Sequence, residues 1–260
     1  MIPVKLNQPE IWAKTNYRFN DVHRLTLFLS GFHQSQQSFF GSLSYKAKQT
    51  NAFINLQHEF KYTANHSLKS GISFKHLQLN ENILFTDNMI NRNYNGNYNR
   101  TENIAGLFTE NTMSFFKGKL TWIAGIRADN HNRFGWNITP RTLLKYDPTS
   151  KLTIRANIGT GWRTVNFFSE NIGLLASSRD IVFQEALKPE KALNMGINIT
   201  QKFENTNVSG YISMDYYRTS FSNQVFPDYD TDPTKAFVKN FTGKSVSNGF
   251  QTDFFIRLYK

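Results

Sequence analysis

LTIRANIGTGWRTVN, residues 152–166, is the stretch that decides the fold. Leu152, Ile154, Ala156 and Ile158 alternate with Thr153, Arg155, Asn157 and Gly159, and then Gly161, Trp162 and Arg163 break the pattern. Successive side chains of a strand point to opposite faces, so this segment predicts a strand with one aliphatic face and one face carrying a guanidinium and an amide. The same two-sidedness recurs in other segments. Leu120, Trp122, Ala124, Ile126 and Ala128 oppose Thr121, Ile123, Gly125, Arg127 and Asp129, and Leu193, Met195, Ile197 and Ile199 oppose Asn194, Gly196, Asn198 and Thr200. Near the end, Phe250, Phe254, Ile256 and Leu258 oppose Gln251, Asp253 and Arg257.

Period-2 alternation predicts about eleven strands, near 22–33, 50–61, 67–80, 102–116, 119–131, 139–147, 151–162, 191–204, 206–219, 236–244 and 248–259. Short links at 63–66, 117–119, 147–151 and 204–207 alternate with long ones around 34–49, 81–101, 131–138, 163–190 and 220–235. An antiparallel meander with two unlike ends is the plan of a transmembrane β-barrel, with short turns on one side of the membrane and long loops on the other. The expected fold class is therefore all-β, an antiparallel meander forming part of a transmembrane β-barrel. Arg127, Asp129, Arg155, Asn157, Asn194 and Asn198 would face the wet lumen and the aliphatic faces would meet lipid. Trp162 fits either the membrane interface or a packed place under a loop.

Composition agrees. The 260 residues are 39% hydrophobic and 15% aromatic, with 24 Phe, while the mean hydropathy is only -0.49. No apolar run approaches the roughly 20 residues of a spanning helix, a test that barrel strands escape because only alternate residues face lipid. The formal net charge of +11 suits anionic lipid, lipopolysaccharide phosphates or nucleic acid. The basic residues are spread along the chain rather than clustered, which argues against a nucleic-acid groove. Cysteine is absent, excluding disulfides and thiolate metal sites. The start, MIPVKLNQPEIW, has no signal-peptide pattern, so an exported protein would carry its leader elsewhere.

Chemistry-bearing motifs are sparse. His23, His33, His58, His66, His76 and His131 form no close metal spacing, so no metal or cofactor is expected. Asp228, Asp230 and Asp232 alternate as in calcium loops, but Pro233 and Lys239 occupy the positions where an EF-hand needs glycine and glutamate; a looser calcium site is the weaker reading. Gly159 and Gly161 lack the third glycine and the βαβ setting of a dinucleotide loop. No paired carboxylates or nucleophilic triad stand out, so the chain does not read as an enzyme. Arg163, Asn166, Glu170, Arg179 and Asp180 gather in one long loop, and Tyr94 and Tyr98 in an Asn/Tyr/Arg loop at 91–100. Loops carry function, so these seven are candidate ligand contacts; their structural alternative is a hydrogen-bonded frame holding the loop over the barrel.

Residues 102–204 add a resemblance. AGLFTENTMSFF, KLTWIAGIRADNHNRFGWNITPR, LKYDPTSKLTIRANIGTGWRTVNFFSENIG and LKPEKALNMGIN, in that order, resemble the C-terminal barrel of a TonB-dependent outer-membrane receptor. The match includes the spacing of Arg163, Asn166 and Glu170 and the Leu-Lys-Pro-Glu run at Leu187 to Glu190. The resemblance implies residence in a bacterial outer membrane and energy-coupled uptake of a small-molecule or glycan ligand such as an iron chelate or cobalamin. It implies as partners outer-membrane lipid and lipopolysaccharide, a plug domain, the remaining barrel strands, and a TonB-type energy-coupling protein acting through the plug. The family's transporters have 22 strands and an N-terminal plug, and residues 1–260 show neither the plug nor an energy-coupling box. The expectation is therefore a partial barrel, an open and strongly curved half. A passive porin-like or structural barrel is the alternative, and a soluble carbohydrate- or nucleic-acid-binding β-sandwich a more distant one.

Overall fold

The computed structural model describes residues 4–86 and 92–259. In chain order, β1 (Val4–Asn7), β2 (Glu10–Arg18), β3 (His23–Phe40), β4 (Leu43–Thr63), β5 (His66–Phe85), β6 (Gly96–Phe115), β7 (Leu120–His131), β8 (Gly135–Tyr146) and β9 (Leu152–Arg163) come first. Two helical turns, α1 (Phe167–Glu170) and α2 (Ile172–Leu175), lead to β10 (Asp180–Phe183), followed by β11 (Glu190–Asn205), β12 (Val208–Ser222), β13 (Val225–Asp228), β14 (Lys235–Asn240) and β15 (Ser245–Leu258). The main sheet is an antiparallel meander in the order β1, β3, β4, β5, β6, β7, β8, β9, β11, β12, β15, with β2 beside β1 on the same neighbour. β1 and β2 are one wall strand interrupted at Gln8 and Pro9, where proline supplies no N–H to the ladder. The sheet is open: among the described residues no strand pairs the outer edge of β1 and β2 or that of β15.

Several sequence expectations are corrected. The expected loop 34–49 is strand almost throughout, since β3 and β4 pair from His23↔Phe60 to Phe40↔Leu43 around a two-residue turn. Gly41, at φ 61, supplies the positive φ that such a hairpin turn demands at its first position. Most of the expected loop 81–101 likewise continues β5 and β6; its residues 87–91 lie outside the described part. Connection 131–138 shrinks to a tight turn between β7 and β8. The expected wall strand at 236–244 is β14, which joins β10 and β13 in a separate three-stranded sheet. β12 therefore pairs β15 directly, and an unforeseen N-terminal strand is added at the opposite edge of the wall, beside β3.

Register fixes which side chains share a face. Leu27, Leu56, Ile72, Leu107, Ala128 and Ile138 are cross-strand partners in one row, and Ile54, Phe74 and Ala105 continue the apolar surface one row away. Ile54, Ile72, Phe74, Leu107, Ile126 and Ile138 are all exposed. A continuous apolar band that no other described part of the chain covers is the surface a bilayer covers in a β-barrel. The opposite face carries Arg127, Asp129, Arg155, Asn157, Asn194 and Asn198.

β3 to β6 have 18 to 21 residues each, whereas β7, β8 and β9 have 12. A transmembrane strand needs roughly 9–11 residues, so the four long strands are nearly twice the length a bilayer would take. Their patterning inverts part-way along. In β5 the band face reads Ile72, Phe74, His76, Gln78, Asn80, while the other face reads Ser73, Lys75, Leu77, Leu79, Glu81, Ile83. Leu77, Leu79 and Ile83 are buried while Gln78 and Asn80 are exposed, and the pairing register runs through without a shift. The apolar residues have changed face where a packed core forms on the inner side.

Candidate functional site

That core belongs to a cap assembled from the three long connections at one end of the meander. Leu43, Tyr45, Ala47 and Ile83 of the strand extensions are buried with Tyr94, with Phe167, Phe168, Leu174 and Leu175 of α1 and α2, and with Ile181, Ala236 and Val238 of the small sheet. In that sheet β10 runs parallel to β14 and β13 antiparallel to it, so the connections 164–189 and 223–244 are stitched together by backbone hydrogen bonds. Asn93 ties in the third connection, donating from Nδ2 to the Ile181 carbonyl at 2.7 Å and accepting from its N–H at 3.1 Å. Asn240 accepts from Lys188 N at 2.8 Å and donates to the carbonyls of Lys188 and Asn223. The opposite end of the meander carries only short turns, among them 64–65, 147–151 and 206–207.

Arg163, at the end of β9, is the hinge of this assembly. Its Nε donates to Glu190 Oε2 at 2.7 Å and its Nη2 lies 2.9 Å from Glu170 Oε2. Glu170 also accepts from Asn166 N at 2.9 Å, and Glu190 from Val225 N at 2.8 Å. The three residues with family spacing thus meet, and Glu190 of the Leu-Lys-Pro-Glu run joins them. Arg179 lies elsewhere in the cap, donating to the Pro233 carbonyl and stacking over Tyr229. Asp180 opens β10, 3.7 Å from Arg92. Tyr94 is buried in the core, edge-on to Phe85, and Tyr98 donates to the Tyr94 carbonyl at 2.9 Å while packing on Phe168. Burial raises the pKa of both phenols above the ordinary tyrosine value.

Beneath the cap lies a polar layer that periodicity alone did not single out. The Tyr45 hydroxyl donates to Glu81 Oε1 at 2.7 Å. Burial pushes the Glu81 carboxyl above its usual range, an effect partly offset by that hydrogen bond and by Arg100. Glu102, with a side chain 4% exposed, pairs with Arg100 at 3.2 Å and accepts from the Thr164 hydroxyl at 3.0 Å. Fully buried His131 accepts at Nδ1 from the N–H groups of Arg133 and Phe134 and turns Nε2 toward Glu102, 3.7 Å away. Trp162 packs edge-on against His131 and is half-buried. One available signal was Glu81, a carboxylate that interrupts the apolar run Leu77, Leu79, Ile83 on one face.

Between this layer and the cap lies a cavity of about 380 Å³, lined by Tyr98, Phe134, Phe167, Phe168 and Phe183 and by the charged Arg100, Glu102, Arg133, Glu185 and Lys188. Farther along the same face, the predicted lumen residues form cross-strand pairs. Arg127 binds Asp129 and donates to Ser73 Oγ at 2.7 Å, and Gly106 makes room for them, since a Cβ there would collide with both charged groups. Arg155 donates to Asn198 at 3.0 Å and Asn157 to Asn194 at 3.3 Å; Asn194 and Asn198 pass the chain on to Thr219, Ser213 and Asp215. Asp228 and Asp232 spend their carboxylates on turns, accepting from Thr231 and Thr234, hydrogen bonds that hold both pKa values down. Among the described residues no cluster of three or more His, Asp or Glu is placed to hold a metal ion.

The family model described as TonB dependent receptor-like, beta-barrel matches residues 4–258. No curated protein sequence is significantly similar to the chain. Among solved structures, the siderophore receptor PirA from Pseudomonas aeruginosa superposes with a TM-score of 0.59 at 14% identity, over 96% of this chain and 51% of that one. The alcaligin outer-membrane receptor FauA from Bordetella pertussis gives 0.63 at 12% identity, over 99% and 47%. The Serratia marcescens hemophore receptor HasR, solved with its hemophore and heme, gives 0.67 at 10% identity, over 96% and 46%. The chain thus spans about half the length of these structures. At such identities the likeness concerns the fold.

Proposed function

Since the chain belongs to the family of TonB-dependent receptor-like β-barrels, we propose that it forms wall strands and the ligand-facing cap of a bacterial outer-membrane receptor for energy-coupled uptake of a small-molecule or glycan ligand, the class that includes iron chelates and cobalamin. The family is one of transport receptors rather than enzymes. The observation that supports the reading best is the cap itself: three long connections share a hydrophobic core and cover the polar face of a wall whose other face carries a lipid-type band. A passive pore has no use for a packed cover with its own sheet. The soluble sandwich does not fit either, because the main strands form one continuous open sheet rather than two packed ones.

In this reading ligand meets the aromatic and cationic lining of the cavity, with Tyr98, Phe134, Arg133 and Lys188 as contacts, while Arg163, Asn166 and Glu170 hold the cap in place and Arg179, Asp180 and Tyr94 shape it. Outer-membrane lipid surrounds the band. A plug domain, further barrel strands and a TonB-type protein complete the transporter. No cofactor enters the scheme. Uptake of a panel of labelled ferric chelates, cobalamin and oligosaccharides by cells making the protein provides the test. The reading expects saturable uptake of one class that stops when the proton gradient is collapsed. Unsaturable uptake indifferent to the gradient would favour the passive barrel.

A further inference from the structure

Two of the cavity's contacts, Arg133 and Phe134, stand on the three-residue turn between β7 and β8. A turn this short closes its strands through a residue at positive φ, here Gly135 at φ 67, and leaves the N–H groups at its centre without ladder partners. The side chain of His131, the last residue of β7, takes up two of them: Nδ1 accepts from Arg133 N at 3.0 Å and from Phe134 N at 3.3 Å. Asn132 pins the turn to β6, accepting at Oδ1 from Asn103 N and donating to the Thr101 carbonyl. The two contact side chains are themselves joined, the Arg133 guanidinium lying over the Phe134 ring at 5.4 Å, and that ring packs 4.9 Å from the imidazole. His131 therefore sets both the backbone and the side chains of the two contacts.

An imidazole so placed has one usable protonation state. Nδ1 spends its lone pair on two N–H donors, so the ring's proton sits on Nε2, which faces Glu102 Oε2 at 3.7 Å. The ring is fully buried, at the cap end of β7 and three residues beyond the band row of Ala128 and Ile138. Among the described residues the charged groups around it are Arg100 and Glu102 of β6, paired with each other at 3.2 Å, and Arg133 of the turn. β9 contributes Trp162, which does not titrate, and Asp129, two residues back on β7, is taken by Arg127. A second proton would turn Nδ1 into a donor aimed at two donors. Burial, opposed by Glu102 and reinforced by both arginines, lowers the His131 pKa. Its contribution is complete above the ordinary histidine pKa and is lost as pH falls through the lowered value.

On the reading of the cavity as the ligand site, we propose that His131 is its positioning residue: neutral, it fixes Arg133 and Phe134 as ligand contacts, and on taking a second proton at Nδ1 it releases them, so that the site holds ligand at neutral pH and loses it in acid. The sign sets His131 apart from the other titrating groups. Glu81 and Glu185 also line the cavity, and they repel an anionic ligand more strongly as pH rises, the opposite direction.

The test uses the membrane-inserted protein extracted in mild detergent, as wild type, as His131→Asn and as His131→Phe, with His66→Asn at the short-turn end as control. Asn carries an acceptor at the same bond position as Nδ1 and does not titrate, whereas Phe keeps a ring and loses the acceptor. The probe is 1-naphthalenesulfonate, an aromatic anion that does not titrate either, measured by equilibrium dialysis at about pH 8 and about pH 5, on either side of the histidine range. The expected result is binding about tenfold weaker at the acid pH in the wild type and the control, no acid loss in His131→Asn, and weak binding at both pH values in His131→Phe. Hydrogen exchange of the 133 and 134 amides, corrected for intrinsic rate, should follow the same pattern while the wall strands stay unchanged. An acid loss that survives in His131→Asn puts the titration elsewhere and overturns the proposal while the cavity reading stands. No binding of the probe by the wild type at either pH removes the cavity reading instead, and the positioning role falls with it. Should neither His131 variant insert, the wild-type amides decide, since exchange at 133 and 134 that does not quicken toward acid overturns the role of Nδ1.

Discussion

At the scale of single residues, Arg163 has the most to lose. It bridges Glu170 and Glu190 through different nitrogens, and the Glu190 carboxylate is almost fully buried. Arg163→Ala leaves that carboxylate with the Val225 N–H alone and should loosen the cap by about 1–3 kcal/mol, the usual cost of stranding a charged hydrogen-bonding group. Hydrogen exchange of the 164–189 amides should then quicken by roughly one to two orders of magnitude, with the wall strands unchanged. Arg163→Lys should recover part of the loss, since a single ammonium cannot span both carboxylates with a fixed fork. Glu81 sets a pH dependence of known sign. Its pKa is raised in the closed cap, so the closed form holds the proton more tightly than an open one. Its contribution is therefore complete below the ordinary carboxylate pKa and is lost as pH rises through the raised value. Exchange of the 43–47 amides, corrected for intrinsic rate, should speed up from acid to neutral pH in the wild type, and Glu81→Gln should flatten that slope.

At the scale of elements, the inversion within β5 yields a contrast on a single face of one strand. Ile72 and Gln78 point the same way, six residues apart, the first in the apolar band and the second beyond it. Ile72→Arg should cost on the order of 2–4 kcal/mol of folding into lipid if it lies near the midplane, and Gln78→Arg less than about 0.5 kcal/mol. Equal costs in a liposome folding titration would count against the boundary between them. The same inversion explains what the sequence hid. Alternation placed Arg127, Asp129, Arg155 and Asn157 on one face, because each sits in a strand whose other face is a single apolar surface along its length. It missed the upper half of β3, where His33 to Ser38 is polar on both faces: water meets one and the edge of the cap the other. In β5 the apolar positions change parity between Phe74 and Leu77, so a single-phase reading dissolves there. Ala236, Val238 and Asn240 do alternate, and the strand is real. Periodicity shows that one face is buried, not which sheet buries it, and the cap sheet claims this one. The Arg163, Asn166 and Glu170 cluster was legible from spacing. The layer of Glu81, Glu102 and His131 was not, because its members come from different strands.

At the scale of the whole molecule, the open sheet sets the terms. In hydrocarbon each unpaired backbone group costs several kcal/mol, so on the proposed reading the free edges of β2 and β15 would need partner strands. The account places the cap on the outer side of that bilayer and the short turns on the periplasmic side. Because the sequence has no cysteine, a single introduced thiol reports its own side of the membrane without background. The decisive measurement is labelling of intact cells with a membrane-impermeant maleimide, comparing Asp230→Cys in the cap with Ser150→Cys in the turn between β8 and β9, both exposed. The account predicts labelling at 230 on whole cells and at 150 only after the membrane is breached. Labelling at 150 with protection at 230 would invert the orientation, and equal labelling of both on intact cells would contradict a wall that spans the membrane.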